Sequence, residues 1–439
     1  MSDWVDGTLS DAINSLDAGV SVNAEDRPHG SGEIGVLKTS ALSGGNFHPE
    51  QNKAVLPTER NLVAEPVLAD SILVSRMNTP ALVGESCYLD AAHPTLFLPD
   101  RLWQLKPKDR DAVNMRWLSF VLQSSGYRNH IEIHATGTSG SMKNLPKARL
   151  LDLPVSYPPA HEQRFIAKVL DALDTTIRQT EAIIEKLKQV KQGLLHDLLT
   201  RGIDANGELR PPQSEAPELY KASALGWIPK KWAPRALGTL AEVSGGVTLG
   251  RSISGPGVVE LPYLRVANVQ DGYLDLDEIK TVQVLSSEVA RYKLEPGDVL
   301  MNEGGDFDKL GRGVIWSGEL ETCLHQNHVF RVRCSRADLD PRYLATYSAS
   351  RFGKSYFVQA SKQTTNLASI NSTQLKAFPL MLPPPEEQRA IVEKLAGLDL
   401  RVESEARTKQ KLLAQKSGLM DDLLTGRVRV TPLLESAAA

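Results

Sequence analysis

Few residue patterns in this 439-residue chain have the types and spacing that chemistry requires, and each fails on inspection. Gly30-Ser31-Gly32-Glu33-Ile34-Gly35 matches GxGxxG, the turn whose glycines let a backbone approach a pyrophosphate at a helix start. Here it follows Pro28 in a polar segment rather than a strand, so it reads as a loop. Gly353-Lys354-Ser355 has the end of a phosphate-binding loop, but Ser348 stands where the first glycine is needed. His161-Glu162 opens like a zinc-protease helix, yet Phe165 replaces the second histidine that would complete the metal site. Asp100 and Lys106 lack the second carboxylate of a nuclease centre. Cys87, Cys323 and Cys334 show neither paired nor CxxC spacing, which points to a reduced, metal-free chain. There is no adenine-methylase loop of the Asn-Pro-Pro-Tyr type, and no Ser/His/Asp or Cys/His set recurs. These patterns describe a chain that recognises rather than reacts, with no cofactor and no metal of its own.

The chain does offer polar, glycine-punctuated loops. Thr136-Gly137-Thr138-Ser139-Gly140-Ser141-Met142-Lys143-Asn144 and Lys362-Gln363-Thr364-Thr365-Asn366 are rich in small hydrogen-bonding groups and lysine. Such groups bond phosphate oxygens and position a protein on a duplex. Arginine, asparagine and glutamine make the two-pronged contacts that distinguish guanine from adenine in the major groove. Arg76, Asn78, Arg251, Arg265, Asn268, Lys309 and Arg312 lie in loop-like stretches that could supply them. The candidate DNA contacts are these seven together with Thr138, Ser139, Lys143, Asn144, Lys362, Gln363, Thr364 and Asn366. A formal charge of −3 excludes bulk coating of a polyanion but allows a local basic face.

The elements that must position these loops emerge from an internal repeat. Glu162-Gln163-Arg164 recurs 225 residues later as Glu387-Gln388-Arg389, and Asp197-Leu198-Leu199-Thr200 recurs as Asp422-Leu423-Leu424-Thr425 at the same offset. Upstream, Gly19-Val20-Ser21 pairs with Gly246-Val247-Thr248, and Leu37-Lys38 with Leu264-Arg265, at an offset of 227. The chain is two copies of one unit, alike at the rear and divergent at the front.

Each rear part predicts a long helix. Ile166, Leu170, Leu173, Ile177, Ile184, Leu187, Leu194 and Leu198 fall on alternating three and four spacings, with Thr180 and Lys191 in the polar gaps. Ile391, Leu395, Leu398, Val402, Leu412, Leu419 and Leu423 repeat the pattern, with Glu405, Lys409 and Lys416 in the gaps. This is an a/d seam of about five heptads, the signal of a coiled coil. Prolines before each stretch, and Gly202 and Gly426 after, suit helix starts and stops. The two helices are expected to pair antiparallel about a pseudo-two-fold, more loosely at their charged middle or sharing that stretch with another subunit.

The expected architecture is mixed α/β. Residues 1–157 form one globular domain, 158–202 a central coiled-coil helix and 203–231 a connector. Residues 232–383 form the second domain, 384–426 the C-terminal helix and 427–439 a tail. Strands are expected at Ser71–Val74 and Val329–Val332, with short helices near Arg116–Gln123 and Arg342–Ser350. With 41% apolar and 23% charged residues, and no run of the roughly 20 apolar residues that a membrane helix needs, a soluble protein is expected. The absence of a basic-then-apolar start points to the cytoplasm.

Two unlike readers on one scaffold suit a partner with two half-sites about one helical turn, roughly 34 Å, apart, which is double-stranded DNA. The doubled proline-rich entry into Glu-Gln-Arg, the heptad helix, the Asp-Leu-Leu-Thr exit and Gly226-Trp227-Ile228-Pro229-Lys230-Lys231-Trp232 together resemble the specificity subunit of type I restriction-modification systems. That resemblance covers nearly the whole chain. It implies two target-recognition domains that each read half of a bipartite, asymmetric site, with paired helices setting the unread gap and docking two methyltransferase subunits. It also implies restriction subunits that join through these, with S-adenosylmethionine, ATP and Mg used by the partners and no catalysis in this chain. The chain departs from the family at Ala160-His161, where an acidic pair is usual, and at its end, Glu435-Ser436-Ala437-Ala438-Ala439. The competing readings are a non-enzymatic coiled-coil scaffold joining two protein-binding domains, and a single-chain nuclease or methyltransferase.

Overall fold

A computed structural model describes residues 4–137, 141–251, 253–305, 310–311, 313–335, 337–363 and 368–432. The chain divides into two compact units, Met1–Glu181 with Arg407–Ala439, and Ala182–Ala406. Each unit is therefore assembled from one front part and from segments of both long helices.

In the first unit a four-stranded antiparallel sheet runs in the order Ser86–Leu89, Ser71–Ser75, Leu102–Pro107, Ile13–Ala18. A five-stranded sheet beside it in sequence pairs His93–Phe97 parallel to Gly35–Leu37. In the second unit the order is Gly313–Ile315, Val299–Asn302, Val329–Cys334, Ala241–Ser244, again antiparallel. Its parallel pair is Leu324–His325 with Val258–Leu264. These named strands correspond at the repeat offset of 227, while the second sheet has five strands in the first unit and three in the second, so the divergent front parts share a core framework.

The repeated Gly19 and Gly246 have a steric reason. A Cβ on Gly19 would lie 1.6 Å from the Leu98 carbonyl oxygen, and one on Gly246 would lie 1.8 Å from that of His325. Only glycine allows the two chain segments to pass so closely. The two fully buried central strands, Ser71–Ser75 and Val299–Asn302, carry β-branched and long apolar residues on both faces. In the connector the chain forms a hairpin, Tyr220–Ser223 with Gly226–Pro229, which packs Ile228 and the following Trp232 into the second unit's core. The short helices span Met115–Val121 and Pro341–Ala349, capped by the Asn114 and Asp340 side chains respectively.

The long helices are Ala160–Thr200 and Pro385–Leu424. Gly202 and Gly426 follow them at φ 65° and 71°, the left-handed conformation that ends a helix. In the first unit Lys416 meets Asp174 at 2.5 Å and Lys409 meets Glu181 at 2.8 Å. Seven residues forward on one helix match seven backward on the other, so the segments run antiparallel. In the second unit Lys191 pairs with Asp399, and Leu195, Leu198 and Leu199 share a core with Ile391, Val392 and Leu395. Four of the five polar gaps in the stripe find partners: Lys191, Lys409 and Lys416 pair with acids, and the buried Thr180 hydroxyl donates to the Thr176 carbonyl at 2.9 Å.

Ile166, Leu170, Ile177, Ile184, Leu198, Ile391, Leu395 and Leu423 are buried. Leu173, Leu187, Leu194, Leu398, Val402, Leu412 and Leu419 are half-buried. Ala167, Leu195, Leu199, Val392 and Met420 widen the buried stripe towards the helix ends. There each helix packs on a globular core as well as on its partner: Trp117 and Phe120 in the first unit, Tyr343 and Phe378 in the second.

Candidate nucleic-acid interface

The repeated Glu-Gln pair is buried at the start of each long helix. Gln163 accepts from the Asn114 amide at 2.8 Å and donates to the Ala112 and Pro158 carbonyls. Gln388 does the same for the Asp340 amide and the Asp338 and Pro383 carbonyls. Glu162 accepts from Arg429 at 2.9 Å, Thr431 at 2.8 Å and the Trp4 indole at 3.2 Å. Burial works against its charge, but these donors outweigh it and hold the carboxyl below the usual range. Glu387 accepts from Arg210 at 2.5 and 3.1 Å and from the Ile203 amide at 2.9 Å. Each glutamate thus fixes the chain just after the other long helix ends. These motif residues build the scaffold and do not face a ligand.

The loops are placed by the central strands. Beyond Ser75, the Arg76 amide donates to the Arg101 carbonyl at 2.9 Å, and the Leu145 amide donates to the Arg76 carbonyl at 2.9 Å. Met77–Asn78 then pairs antiparallel with Lys143–Asn144. Four of the sequence candidates, Arg76, Asn78, Lys143 and Asn144, are therefore brought together. The Arg76 guanidinium lies 5.7 Å from the Trp103 ring centroid and reaches the Asn144 side-chain oxygen at 3.4 Å. Lys143 donates to the Gly137 carbonyl at 3.1 Å, closing the base of the polar loop. Thr138 and Ser139 lie outside the described residues.

The second unit repeats this framework. The Glu303 amide donates to the His328 carbonyl at 3.0 Å, and the Ile370 amide to the Glu303 carbonyl at 2.8 Å. Gly304–Gly305 pairs with Ala368–Ser369, which also pairs with Lys362–Gln363. Lys309, Arg312, Thr364 and Asn366 lie outside the described residues.

The remaining described candidates make bonds of their own. Arg251 makes a two-pronged pair with Glu288 at 2.9 and 3.1 Å, which raises the pKa of the guanidinium and lowers that of the carboxyl. Arg265 and Asn268 close one turn, with the Asn268 oxygen accepting from the Arg265 amide at 2.9 Å. Asn268 is buried, and its amide group donates to the Asp275 and Glu278 carbonyls. Arg101, Glu303 and His328 escaped the sequence reading, because strand ends far apart in the chain bring them to the loops. Their signal was their repeat offset of 227 residues, Arg76 to Glu303 and Arg101 to His328.

Among the described residues no group of three His, Cys, Asp or Glu side chains could hold a metal ion, and no helix is long and apolar enough to cross a membrane. The family model for the type I restriction modification DNA specificity domain matches residues 1–189 and 229–414. The chain is 26% identical over 315 residues to the EcoKI specificity subunit of Escherichia coli K12, an alignment covering 71% of this chain and 64% of that protein. It is 23% identical over 321 residues to the StySPI specificity subunit of Salmonella potsdam, covering 72% and 65%. A relative from Methanocaldococcus jannaschii is 29% identical over 210 residues, covering 47% and 49%. The alignments thus span between half and two thirds of these curated relatives. Among solved structures, an S subunit from M. genitalium superposes with a TM-score of 0.52 at 13% identity, covering 96% of both chains. A chain from a structure concerned with assembly of the type I R-M system gives 0.55 at 17%, covering 96% and 97%. These likenesses show a shared fold over almost the full length. With two matches that together take in most of its residues, the chain belongs to the type I restriction-modification DNA specificity family and carries the family domain twice.

Proposed function

We propose that this chain is the non-catalytic, sequence-specific DNA-binding subunit of a type I restriction-modification enzyme in the cytoplasm. Its two units each read one half of a bipartite, asymmetric site. The observation that carries this is the doubled family domain: one framework of core strands, present twice, bears two different sets of polar loops. Arg76, Asn78, Lys143 and Asn144, gathered by one strand pairing, are the candidate DNA contacts of the first unit, with Lys362 and Gln363 the candidates on the paired strands of the second. The long helices set the unread gap and dock two methyltransferase subunits, through which restriction subunits join. Exposed Ile183, Val190 and Leu400 on those helices suit such docking, since apolar side chains there gain from being covered. S-adenosylmethionine, ATP and Mg belong to the partners.

The test is a map of methylated adenines in cells with and without this gene. Loss of one bipartite motif from the map on deletion is the expected result, and an unchanged map would refute the proposal. With methyltransferase subunits present, affinity for duplex DNA should fall steeply with salt, because neutralised phosphates release counterions.

A further inference from the structure

The two units place opposite chemistry at one backbone position. In both, the first residue past the central strand is held by two equivalent backbone hydrogen bonds, from its amide to residue 101 or 328 and to its carbonyl from residue 145 or 370. In the first unit the side chains are Arg76 and Arg101; in the second they are Glu303 and His328. Among the described residues neither arginine has an acid within ion-pair distance. Arg101 is exposed on the segment whose carbonyl binds the Arg76 amide, so both guanidinium groups remain open to an electron-rich ligand. Arg76 is half-buried, set over the Trp103 ring and tethered to Asn144, so its fork is already oriented. Glu303 accepts from His328 through one oxygen at 2.6 Å, which leaves the other available among the described residues. A carboxylate there repels phosphate and rewards only a hydrogen-bond donor.

From this we propose that residues 76 and 101, and residues 303 and 328, are the corresponding specificity-determining positions of the two units. Arg76 with Arg101 selects the O6 and N7 acceptors of a guanine. Glu303, oriented by His328, selects the exposed amino group of a cytosine or adenine. This rests on the DNA-reading role proposed above and names the base chemistry at each unit.

The experiment uses the full chain co-expressed with its methyltransferase subunits, and maps methylated sites for the wild type, Arg76→Gln, Arg101→Ala and Glu303→Gln. Arg76→Gln should lower methylation of the native site about tenfold or more and relax or shift one guanine position in one half-site. Arg101→Ala should weaken the same position. Glu303→Gln should act on the other half-site only, with the gap unchanged. If Arg76→Gln instead weakens binding evenly over all sequences and lowers the salt slope by about one, Arg76 is a phosphate contact and the inference is overturned while DNA recognition stands. An unchanged map for Arg76→Gln and Glu303→Gln also overturns it. A wild type with no sequence preference at all would refute the broader proposal instead.

Discussion

At the scale of single residues, the repeated motifs were visible in the sequence but their roles were not. Glu162-Gln163 and Glu387-Gln388 stood out by recurrence alone. What they do depends on Asn114, Arg429, Arg210 and Asp340, which no local spacing links to them. Asn268 shows the converse. Its type suited base recognition, yet its side chain is spent inside its own turn. His325 carries a prediction at this scale. It is fully buried, its Nδ1 hydrogen-bonded to the Val329 carbonyl at 2.6 Å, and burial pushes the imidazole down to about 4. Above about pH 6.5 the ring is neutral folded or unfolded, and its contribution to stability is constant. Between pH 6.5 and 4 the unfolded chain takes up a proton that the folded chain refuses, so stability falls, by on the order of 3 kcal/mol at the lower end. The first unit has Leu98 at the equivalent place. His325→Leu should remove this part of the acid loss, read as a smaller difference between melting temperatures at pH 7 and pH 4.5 than in the wild type.

At the scale of elements, both long helices were legible because a heptad stripe and glycine stops are local signals. The wider stripe of Ala167, Leu195, Leu199, Val392 and Met420 was not, since a seam template assigns one face and cannot know that the helix ends also meet a globular core. Nor was the connector hairpin, whose alternation is only four residues a side. The lysines in the polar gaps looked like interruptions and instead find acids across the helix pair. Asp174 accepts from both Lys416 at 2.5 Å and Arg116 at 3.3 Å, with both partners of the lysine pair about four-fifths covered. A cycle of Asp174→Asn, Lys416→Met and the double variant should give a coupling of about 1 kcal/mol in urea unfolding. A coupling of zero would leave the antiparallel register to apolar packing alone.

At the scale of the molecule, the duplication was readable because the rear parts retained their residues, and the shared topology of the front parts followed only from the strand pairings. Sequence divergence there hides a common framework under unlike loops. That arrangement predicts exchangeability. Replacing residues 1–157 with the equivalent part of another family member should change one half-site in the methylated-adenine map and leave the other as it was. The incoming part must still offer an apolar surface to Met420, Leu423 and Val430, which share the first unit's core with Ile166 and Leu170. A graft that meets this condition yet alters both half-sites would contradict independent reading by the two units.

The way the chain is shared between units also bears on how it is made. The unit that begins at the amino terminus draws Met420, Leu423, Arg429 and Val430 into its interior, whereas the other is complete by residue 406. On the ribosome, the part synthesised earlier must therefore wait, its Glu162 carboxylate without Arg429, until the stretch through Thr431 has been translated. A message cut short after the second unit would yield one finished half and one unfinished half, and only a chain read through past Thr431 closes both.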